Sequence, residues 1–433
     1  MPRSRLLPTA LSSAVLAAAV LASCDPICLD GVSPPGPGRE YQSVSGACVA
    51  VVVTSPDAGG SDGGTDAGDA GEDPDAGPGE QSCGKSGWTT QVLDEGLDSL
   101  SATFVFDARG VGHYAYSKDS HLYVGTTRPG DAPMQVGGVA TAYDVNMAVA
   151  ADGTHHVLFQ QGDSFGYAHD TGGVWHSELL GKGWIGAIAL DPQGAPHLFI
   201  GQPSMLMGYL YGTRSEDGTW SLTPLNALGI AGDRERLVVD AAGHLHTVFV
   251  RTLSGSFQAV YATNAAGTWT EEPLDWTIPN GSPRFRIALR VDAAGQPSLL
   301  GSDSQGASLW VKDGSGWKQQ RLGGLLSRGP SLTESPSGLG VALLDDAAPD
   351  ANSSGSPSQW VVKTWDGPSV VGTTPPALLE TRDGGNTLLG DSAVHVDAQD
   401  AVQAGLFYIH YTSPDGGGLP QMTRGLRYAR YCP

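Results

Sequence analysis

From residue 98 onward, short apolar or alternating runs such as "AIAL", "HLFI" and "QAVYAT" are separated by turns rich in Gly, Asp and Asn. Runs of this length and composition are typical of β-strands, whereas an amphipathic helix repeats its apolar positions every three or four residues over a longer stretch. We find no such helical period in this region. The pattern therefore predicts an all-β fold.

The runs belong to an internal repeat whose centre has the pattern Asp-x-x-Gly-x-x-His-x-x-aromatic. One run leads into the turn, two follow it, and a Trp-x4-Leu phrase closes the unit. Four strands per unit of this length are typical of a β-propeller blade, so the repeat predicts a seven-bladed β-propeller of four-stranded antiparallel blades. The complete and weaker copies start, 41 to 62 residues apart, at Asp107, Ala150, Asp191, Asp240, Asp292, Ser335 and Asp397.

One Trp-x4-Leu phrase, "WTTQVL" from Trp88, precedes the first copy and has no unit of its own. The last unit ends "GLRYARYCP" and lacks this phrase. We therefore expect the N-terminal strand to complete the last blade and close the ring, which leaves no open sheet edge in a domain spanning 81–433. Cys83 and Cys432 fall on the two sides of this seam, where a disulfide would lock it.

The N-terminus indicates export. Residues 1–23 combine Arg3 and Arg5 with the apolar run "LSSAVLAAAVLAS", as in a signal peptide. The run ends in "LASC", which resembles the lipobox of bacterial lipoproteins. The resemblance implies that Cys24 is acylated and anchors the protein to a membrane of the cell envelope. Ordinary secretion is the alternative.

Asp25 is similar to an inner-membrane retention signal of enteric bacteria, but that rule differs between bacterial groups. The Asp-, Gly- and Ala-rich segment 54–80 is similar to the tethers of surface lipoproteins in some Gram-negative bacteria. We therefore favour the outer membrane or cell surface over the inner membrane.

Two segments separate the signal peptide from the propeller. In 24–53, Cys28 and Cys48 are expected to close a small disulfide loop, since the chain is exported and contains no paired Cys-x2-Cys of a zinc site. Residues 54–80 contain eight acidic residues, many Gly and Ala, and no large apolar side chain. Such a segment predicts a disordered linker, with a span of about 30 Å as a flexible coil. A calcium loop is the alternative, although the pattern lacks the closing Glu.

Two turn phrases, "TRDGGNTL" from Thr381 and "SEDGTW" from Ser215, resemble the turn box of sialidase-like (BNR-type) repeat propellers. Leu388 stands where that box has Trp. The resemblance implies the propeller fold and is weaker support for any catalytic activity. Enzymes of that group need three arginines on different blades, a Tyr nucleophile and a Glu partner, and no position of this sequence matches that set. We therefore assign no catalytic residue.

The net charge of −21, without a cluster of Lys or Arg, argues against nucleic-acid binding. No nucleophile elbow, zinc-binding helix or phosphate-binding loop is visible, and we predict no metal and no cofactor.

Two sets of residues recur with the repeat. For the histidines we favour a structural role over a polar channel or a metal site, and for the tryptophans we favour packing between blades over sugar stacking. The recurring residues are His113, His156, His197 and His246, and Trp88, Trp175, Trp220, Trp269 and Trp317.

Two segments break the repeat, 275–286 and 345–360, and ligand sites in symmetric scaffolds lie preferentially on such loops. Their mixture of aromatic and cationic groups predicts a binding site formed by Trp276, Arg284, Arg286 and Trp360. Inert surface insertions are the alternative. The sequence thus predicts a monomeric cell-envelope lipoprotein whose propeller binds a glycan or protein partner without turnover. The alternative is a degenerate sialidase-like glycoside hydrolase or lyase.

Overall fold

The computed structural model describes residues 39–44, 47–52, 86–98, 102–202, 208–225, 236–253, 256–279, 287–303, 306–323, 330–345, 359–366, 369–373, 378–379, 387–412 and 421–433. The chain divides into two compact units, Met1–Gly79 and Glu80–Pro433. In the first unit, strands β1 (Arg39–Val44) and β2 (Ala47–Val52) form an antiparallel hairpin. Within the described part of the chain, no helix is long and apolar enough to cross a membrane.

The second unit is built from β-strands. In chain order these are β3 (Gly87–Glu95), β4 (Ala102–Phe106), β5 (Gly112–Lys118), β6 (His121–Thr126), β7 (Met134–Ala140), β8 (Val145–Val149), β9 (His155–Gln161), β10 (Ser164–Thr171), β11 (Val174–Lys182), β12 (Trp184–Leu190), β13 (Pro196–Gly201), β14 (Tyr209–Arg214), β15 (Trp220–Leu225), β16 (Arg236–Val239), β17 (Leu245–Leu253), β18 (Ser256–Thr263), β19 (Thr270–Pro279), β20 (Ile287–Val291), β21 (Pro297–Asp303), β22 (Gly306–Asp313), β23 (Gly316–Gly323), β24 (Ser331–Glu334), β25 (Gly340–Asp345), β26 (Gln359–Asp366), β27 (Ser369–Thr373), β28 (Leu378–Leu379), β29 (Thr387–Val396), β30 (Val402–Thr412) and β31 (Gln421–Cys432).

These strands form seven four-stranded antiparallel blades, which confirms the predicted β-propeller. Blades 1 to 6 each take four consecutive strands, β4–β7, β8–β11, β12–β15, β16–β19, β20–β23 and β24–β27, and β28 adds to the last of these through β26. Blade 7 has the order β29-β30-β31-β3. In each blade the first strand lies nearest the axis of the ring and is here called the inner strand.

The predicted ring closure is confirmed by the pairing of β3 with β31. The register runs from Gly87 opposite Cys432 to Glu95 opposite Gly425, so the strand from the start of the domain is the outer strand of the last blade. This pairing joins the two ends of the propeller within one sheet.

Each inner strand ends in the turn that the Asp-x-x-Gly pattern predicts. In all seven blades the N–H of the fourth turn residue donates to the C=O of the first, over 2.9 to 3.0 Å. The fourth residue is Gly with φ between 76° and 93° in blades 1 to 6, and Asp400 with φ 58° in blade 7. Glycine adopts this left-handed conformation without strain, and the Asp carboxylate caps the N–H groups that follow, as Asp240 does for Ala242 and His244. We call the end of the ring that carries these turns the turn face, and the end where inner strands begin the upstream face.

The apolar core lies between neighbouring blades. For example, the rings of Trp276 in blade 4 and Trp310 in blade 5 stack at 4.3 Å between centroids, inside a cluster with Leu274, Ile287 and Leu299. Such clusters bury both faces of each sheet, which agrees with the continuous buried runs of central strands such as β5 and β9.

Candidate functional site

A cavity of about 340 Å³ lies on the axis of the propeller. Residues from the inner strands of all seven blades line it, so the cavity follows directly from the radial arrangement of the sheets. Its volume is near the lower end of the range of small-molecule sites.

The lining has one well-defined level, formed by the residues four positions before each turn. It combines hydroxyl, amide and guanidinium groups with small apolar side chains, and every blade contributes one residue. The seven residues are Thr103, Asn146, Ala187, Arg236, Ala288, Ser331 and Ala393.

Hydrogen bonds fix three polar members of this level, Asn146, Arg236 and Ser331. The Asn146 amide donates to the carbonyl of Gly186 over 3.2 Å, and Nε of Arg236 donates to the carbonyl of Ile287 over 3.1 Å. Ser331 Oγ accepts the N–H of Val394 over 3.0 Å. These bonds join neighbouring blades around the axis and hold the side chains in place.

Glycoside hydrolysis needs convergent acidic groups, either a pair of carboxylates or a nucleophile with an acid partner. Among the described residues that line the cavity there is no Asp, Glu or Tyr, and Arg236 is the one arginine. The described lining therefore provides binding groups and no acid pair.

Two exposed aromatic side chains lie on the upstream face. Tyr143 is 53% exposed and Trp184 is 52% exposed, and they are the two aromatic residues among the large exposed hydrophobic side chains of the described chain. Each stands seven positions before the first residue of its blade's turn, Ala150 in blade 2 and Asp191 in blade 3. They are thus equivalent residues of neighbouring blades, and we call them the aromatic pair.

The aromatic pair stands close to the cavity. Asn146 and Ala187, which line the cavity, follow Tyr143 and Trp184 by three residues each. Three residues of extended chain span about 10 Å. The backbone of both residues therefore lies at the upstream end of the strands that line the cavity, and neither side chain is among the described residues of the lining itself.

Gln160 holds the backbone on both sides of the aromatic pair. Its main-chain carbonyl accepts the N–H of Tyr143 over 2.9 Å, and its buried amide donates to the carbonyl of Gly183, next to Trp184, over 3.0 Å. The two aromatic residues are therefore attached to a backbone that is already ordered, a condition that reduces the entropy cost of binding.

The repeated histidines are structural, as the favoured interpretation expected. Nδ1 of His156, His197 and His246 lies 2.5 to 2.7 Å from a Tyr hydroxyl on the next strand. Nε2 of His246 is 3.3 Å from the turn carboxylate of Asp240, and His197 makes the equivalent contact over 3.4 Å. None of the four repeated histidines is among the described residues that line the axial cavity.

His113 differs from the other three, because its Nδ1 lies 2.9 Å from Nε2 of His155 in blade 2. The carboxylates of Asp107 and Asp170 flank the two rings at 3.6 and 3.4 Å. Burial and the neighbouring His155 lower the pKa of His113 to about 4, so this ring is neutral near pH 7.

The repeated tryptophans pack between blades, which agrees with the favoured interpretation. Tyr167 of blade 2 meets Trp220 of blade 3 edge to face, with 4.9 Å between centroids. The next two joins repeat this contact with Tyr211 and Trp269, and with Tyr261 and Trp317. The Nε1–H of Trp220 also donates to Glu178 of blade 2 over 3.0 Å.

Of the four predicted binding residues, Trp276 is the one whose side chain lies within the described part of the chain. Trp276 is 2% exposed and stacks on Trp310, so its assignment to a ligand-binding loop was wrong. Arg284 and Arg286 lie outside the described residues. The backbone of Trp360 pairs with Asp345 and Leu378 in blade 6, and its side chain is outside the described part.

Of the cysteines, Cys432 is buried at the end of β31, and the backbone of Cys48 lies in β2 opposite Ser43. Cys24, Cys28 and Cys83 lie outside the described residues, as do the signal peptide and residues 54–80.

Sequence reasoning missed the aromatic pair, although the signal was present. Aligning the repeats on their turns places Tyr143 and Trp184 at one common position, which lies two residues before β8 in blade 2 and is the first residue of β12 in blade 3. A shared position outside the apolar core pattern is the feature that would have identified them.

No protein-family model and no curated protein matches this chain. Solved structures match it by fold. The polysaccharide lyase Uly1 has a TM-score of 0.46 and 12% identity, with 75% of this chain and 89% of that chain covered. The SapL1 lectin, solved with alpha methyl fucoside, has a TM-score of 0.44 and 13% identity, with 65% and 98% covered. An Aleuria aurantia lectin solved with a fucose-containing ligand has a TM-score of 0.38 and 10% identity, with 64% and 93% covered. These likenesses concern the propeller fold alone.

Proposed function

We propose that the propeller binds a glycan, without turnover, on its upstream face. The observation that carries the proposal is the aromatic pair, two exposed rings at equivalent positions of neighbouring blades, beside an axial cavity with polar lining. The site differs from the one that the sequence predicted on loops 275–286 and 345–360.

The chemistry of the face suits a sugar. Sugar rings combine apolar C–H faces with hydroxyl edges, so they are held by flat aromatic surfaces together with hydrogen-bonding groups. Tyr143 and Trp184 offer the aromatic surfaces, while Thr103, Asn146 and Ser331 carry hydroxyl and amide groups at the axis. Exposing two large rings has a solvation cost that a bound ligand would remove.

The same lining supports binding without hydrolysis. A hydrolase of the alternative interpretation would need acidic or nucleophilic groups beside the bound bond, and the described lining contains neither a carboxylate nor a tyrosine hydroxyl. A lyase would need a base, and His395 is the one histidine among the described lining residues, so the assay for product release decides between binding and elimination.

The test is a glycan-array screen of the purified chain, followed by titration calorimetry with the strongest ligand and an assay for product release. Tyr143→Ala and Trp184→Ala should each weaken binding by roughly fivefold or more, because each removes a central aromatic contact. Leu179→Ala is the matched control, since Leu179 is 56% exposed on the outer strand of blade 2. Full affinity in the Tyr143/Trp184 double variant, or turnover of the ligand, would contradict the proposal.

We further propose that the chain is a lipoprotein of the cell envelope, anchored through Cys24 and held away from the membrane by residues 54–80. The lipobox, the signal peptide and the composition of the linker support this. In a Gram-negative host, the Cys24→Ser variant should leave the membrane fraction and lose label from radioactive palmitate. Unchanged labelling would exclude acylation at Cys24.

Two further features belong to the proposal. We expect the propeller to act as a monomer, because β3 closes the ring within one chain. We also expect disulfides between Cys83 and Cys432 and between Cys28 and Cys48, supported for the first pair by the register of β3 and β31.

A further inference from the structure

A strained residue, Thr141, lies two positions before Tyr143 of the aromatic pair. Four residues other than glycine have a left-handed φ in the described part of the chain. Asp119 and Ser120 are the central residues of the tight turn between β5 and β6, and Asp400 is the fourth residue of the blade 7 turn, so turn geometry accounts for these three. Thr141, with φ 59°, is the β-branched one of the four. A β-branched side chain makes this conformation costly.

The path of the chain through Thr141 is set by groups other than its side chain. Its N–H donates to the carbonyl of Ser120 over 2.6 Å. The side chain of Ala142 is buried in the cluster between blades 1 and 2, and the N–H of Tyr143 donates to the carbonyl of Gln160 over 2.9 Å. Glycine at position 141 would adopt the same backbone at a lower cost. These contacts therefore do not account for a threonine at this position.

The hydroxyl of Thr141 is available to a ligand. It forms no hydrogen bond with any described residue, and it is accessible to solvent. The Cα atoms of Thr141 and Tyr143 are at most about 7 Å apart, since two residues separate them along the chain. A polar group at this distance from an exposed ring suits the hydroxyl edge of a sugar stacked on that ring. Strain retained at a position that the backbone contacts do not explain indicates a functional side chain.

We infer that the Thr141 hydroxyl is a direct hydrogen-bonding contact of the glycan, and that it recognises a hydroxyl group of the sugar ring that stacks on Tyr143. This inference rests on the proposed function and names a polar partner for one ring of the aromatic pair. Because Tyr143 offers an aromatic face and Thr141 a neutral hydroxyl, the unit that they hold is a neutral sugar.

The experiment titrates the purified full chain by calorimetry with four neutral tetrasaccharides, cellotetraose, maltotetraose, laminaritetraose and chitotetraose. Thr141→Val should weaken binding of the preferred tetrasaccharide by about three- to tenfold, as expected for the loss of one neutral hydrogen bond. Valine keeps the branched shape and with it the backbone strain. Thr141→Ser keeps the hydroxyl and should bind within about twofold of the wild type.

Thr141→Gly separates a ligand contact from a structural role. Glycine relieves the strain, so the melting temperature should rise, while the affinity should fall as in Thr141→Val. A residue that merely supported the fold would change stability and affinity in the same direction. Thr171→Val is the matched control, because Thr171 is exposed at the turn-face end of β10, and it should keep the wild-type affinity.

Wild-type affinity in a folded Thr141→Val protein would overturn the inference, and so would an equal loss of affinity in Thr141→Val and Thr141→Ser. If Tyr143→Ala and Trp184→Ala still weaken binding in either case, the proposed function stands without this contact. Failure of all four tetrasaccharides to bind would overturn the recognition of a neutral sugar through Thr141, whereas the glycan array decides the proposed function.

Discussion

The ring of Trp88 in β3 packs against the ring of Tyr431 in β31, with 5.4 Å between centroids and 57° between planes. The first strand of the propeller is thereby joined to the last by side chains as well as by the backbone ladder. Both rings pack on a cluster that includes Val341 and Leu343 of blade 6 and Val394 of blade 7. The seam is therefore part of the core between these two blades.

We predict that Trp88→Ala lowers the free energy of unfolding by about 2 to 4 kcal/mol, since it removes a large, partly buried ring from this cluster. Trp88→Phe should recover most of the loss. The measurement is denaturant unfolding followed by circular dichroism. Equal midpoints for the wild type and Trp88→Ala would mean that the seam contributes little to stability.

The second prediction concerns the disulfides. Gly87 lies opposite Cys432 in the ladder, and Cys83 precedes Gly87 by four residues, a separation that extended chain covers in at most about 14 Å. Peptide mapping without reduction should find Cys83 linked to Cys432, and Cys28 linked to Cys48. In the chain-entropy model the seam disulfide adds at most about 5 to 6 kcal/mol, so reduction should lower the melting temperature. Finding Cys48 linked to Cys83 instead would refute both pairings.

The fold was predictable because the residues that specify its turns and strands are close together in the sequence and recur in each repeat. Asp107 and Gly110 specify one turn through a carboxylate cap and a left-handed φ. The left-handed fourth residue recurs in every blade. The carboxylate cap recurs at Asp191, Asp240, Asp292 and Asp397. The Trp-x4-Leu phrase starting at Trp88 has no repeat unit of its own and matches the strand that the last unit lacks. It therefore predicted the closure of the ring.

The binding site was not predictable in the same way, because it depends on which side chains the ring leaves exposed. Trp276 lies in a segment without repeat character, but β19 continues to Pro279 and alternates buried Leu274, exposed Asp275 and buried Trp276. That period of two was present in the sequence and indicated a strand rather than a loop. Tyr143 and Trp184, by contrast, share one position of the repeat in the sequence, and their burial then shows that both side chains are exposed.

The third prediction tests the buried position of Trp276. A Cβ at Gly301 would lie 2.0 Å from Cη2 of Trp276, so Gly301→Ala requires the indole to move out of its stack with Trp310. We expect a loss of about 3 kcal/mol or more in unfolding free energy, as for overpacking in a rigid core. Gly314→Ala is the control, because a Cβ at Gly314 meets no atom within 4 Å. A Gly301→Ala protein as stable as the control would show that the indole has another place to pack.

The fourth prediction concerns acid stability and rests on the buried histidines. Burial is the largest cause that lowers the pKa of His113 and of His156 to about 4, below the ordinary value of 6.5. The folded state therefore binds fewer protons than the unfolded state between these values. The stability is fully present above pH 6.5 and is lost as the pH falls toward 4.

Each of these two rings should contribute a slope of about 1.4 kcal/mol per pH unit within that window, and His113 alone roughly 3 kcal/mol over its whole span. The carboxylates affect stability in a lower pH range. Burial raises the pKa of Asp240, but hydrogen bonds outweigh it and hold this pKa at about 2. The stability that Asp240 contributes is therefore lost only below pH 3.8, the ordinary pKa of Asp. Denaturant unfolding from pH 8 to pH 2 covers both ranges and separates the histidine step above pH 4 from the Asp240 step below it.

His113→Phe should flatten the slope between pH 6.5 and 4, because the variant has no imidazole to protonate beside His155. The absolute stability at pH 7 is not the readout, since Phe also removes the contact between the two rings. The exposed His121 provides the control, and His121→Gln should keep the wild-type slope. If His113→Phe and His121→Gln show the same pH dependence, the acid sensitivity of the propeller does not arise at the join between blades 1 and 2.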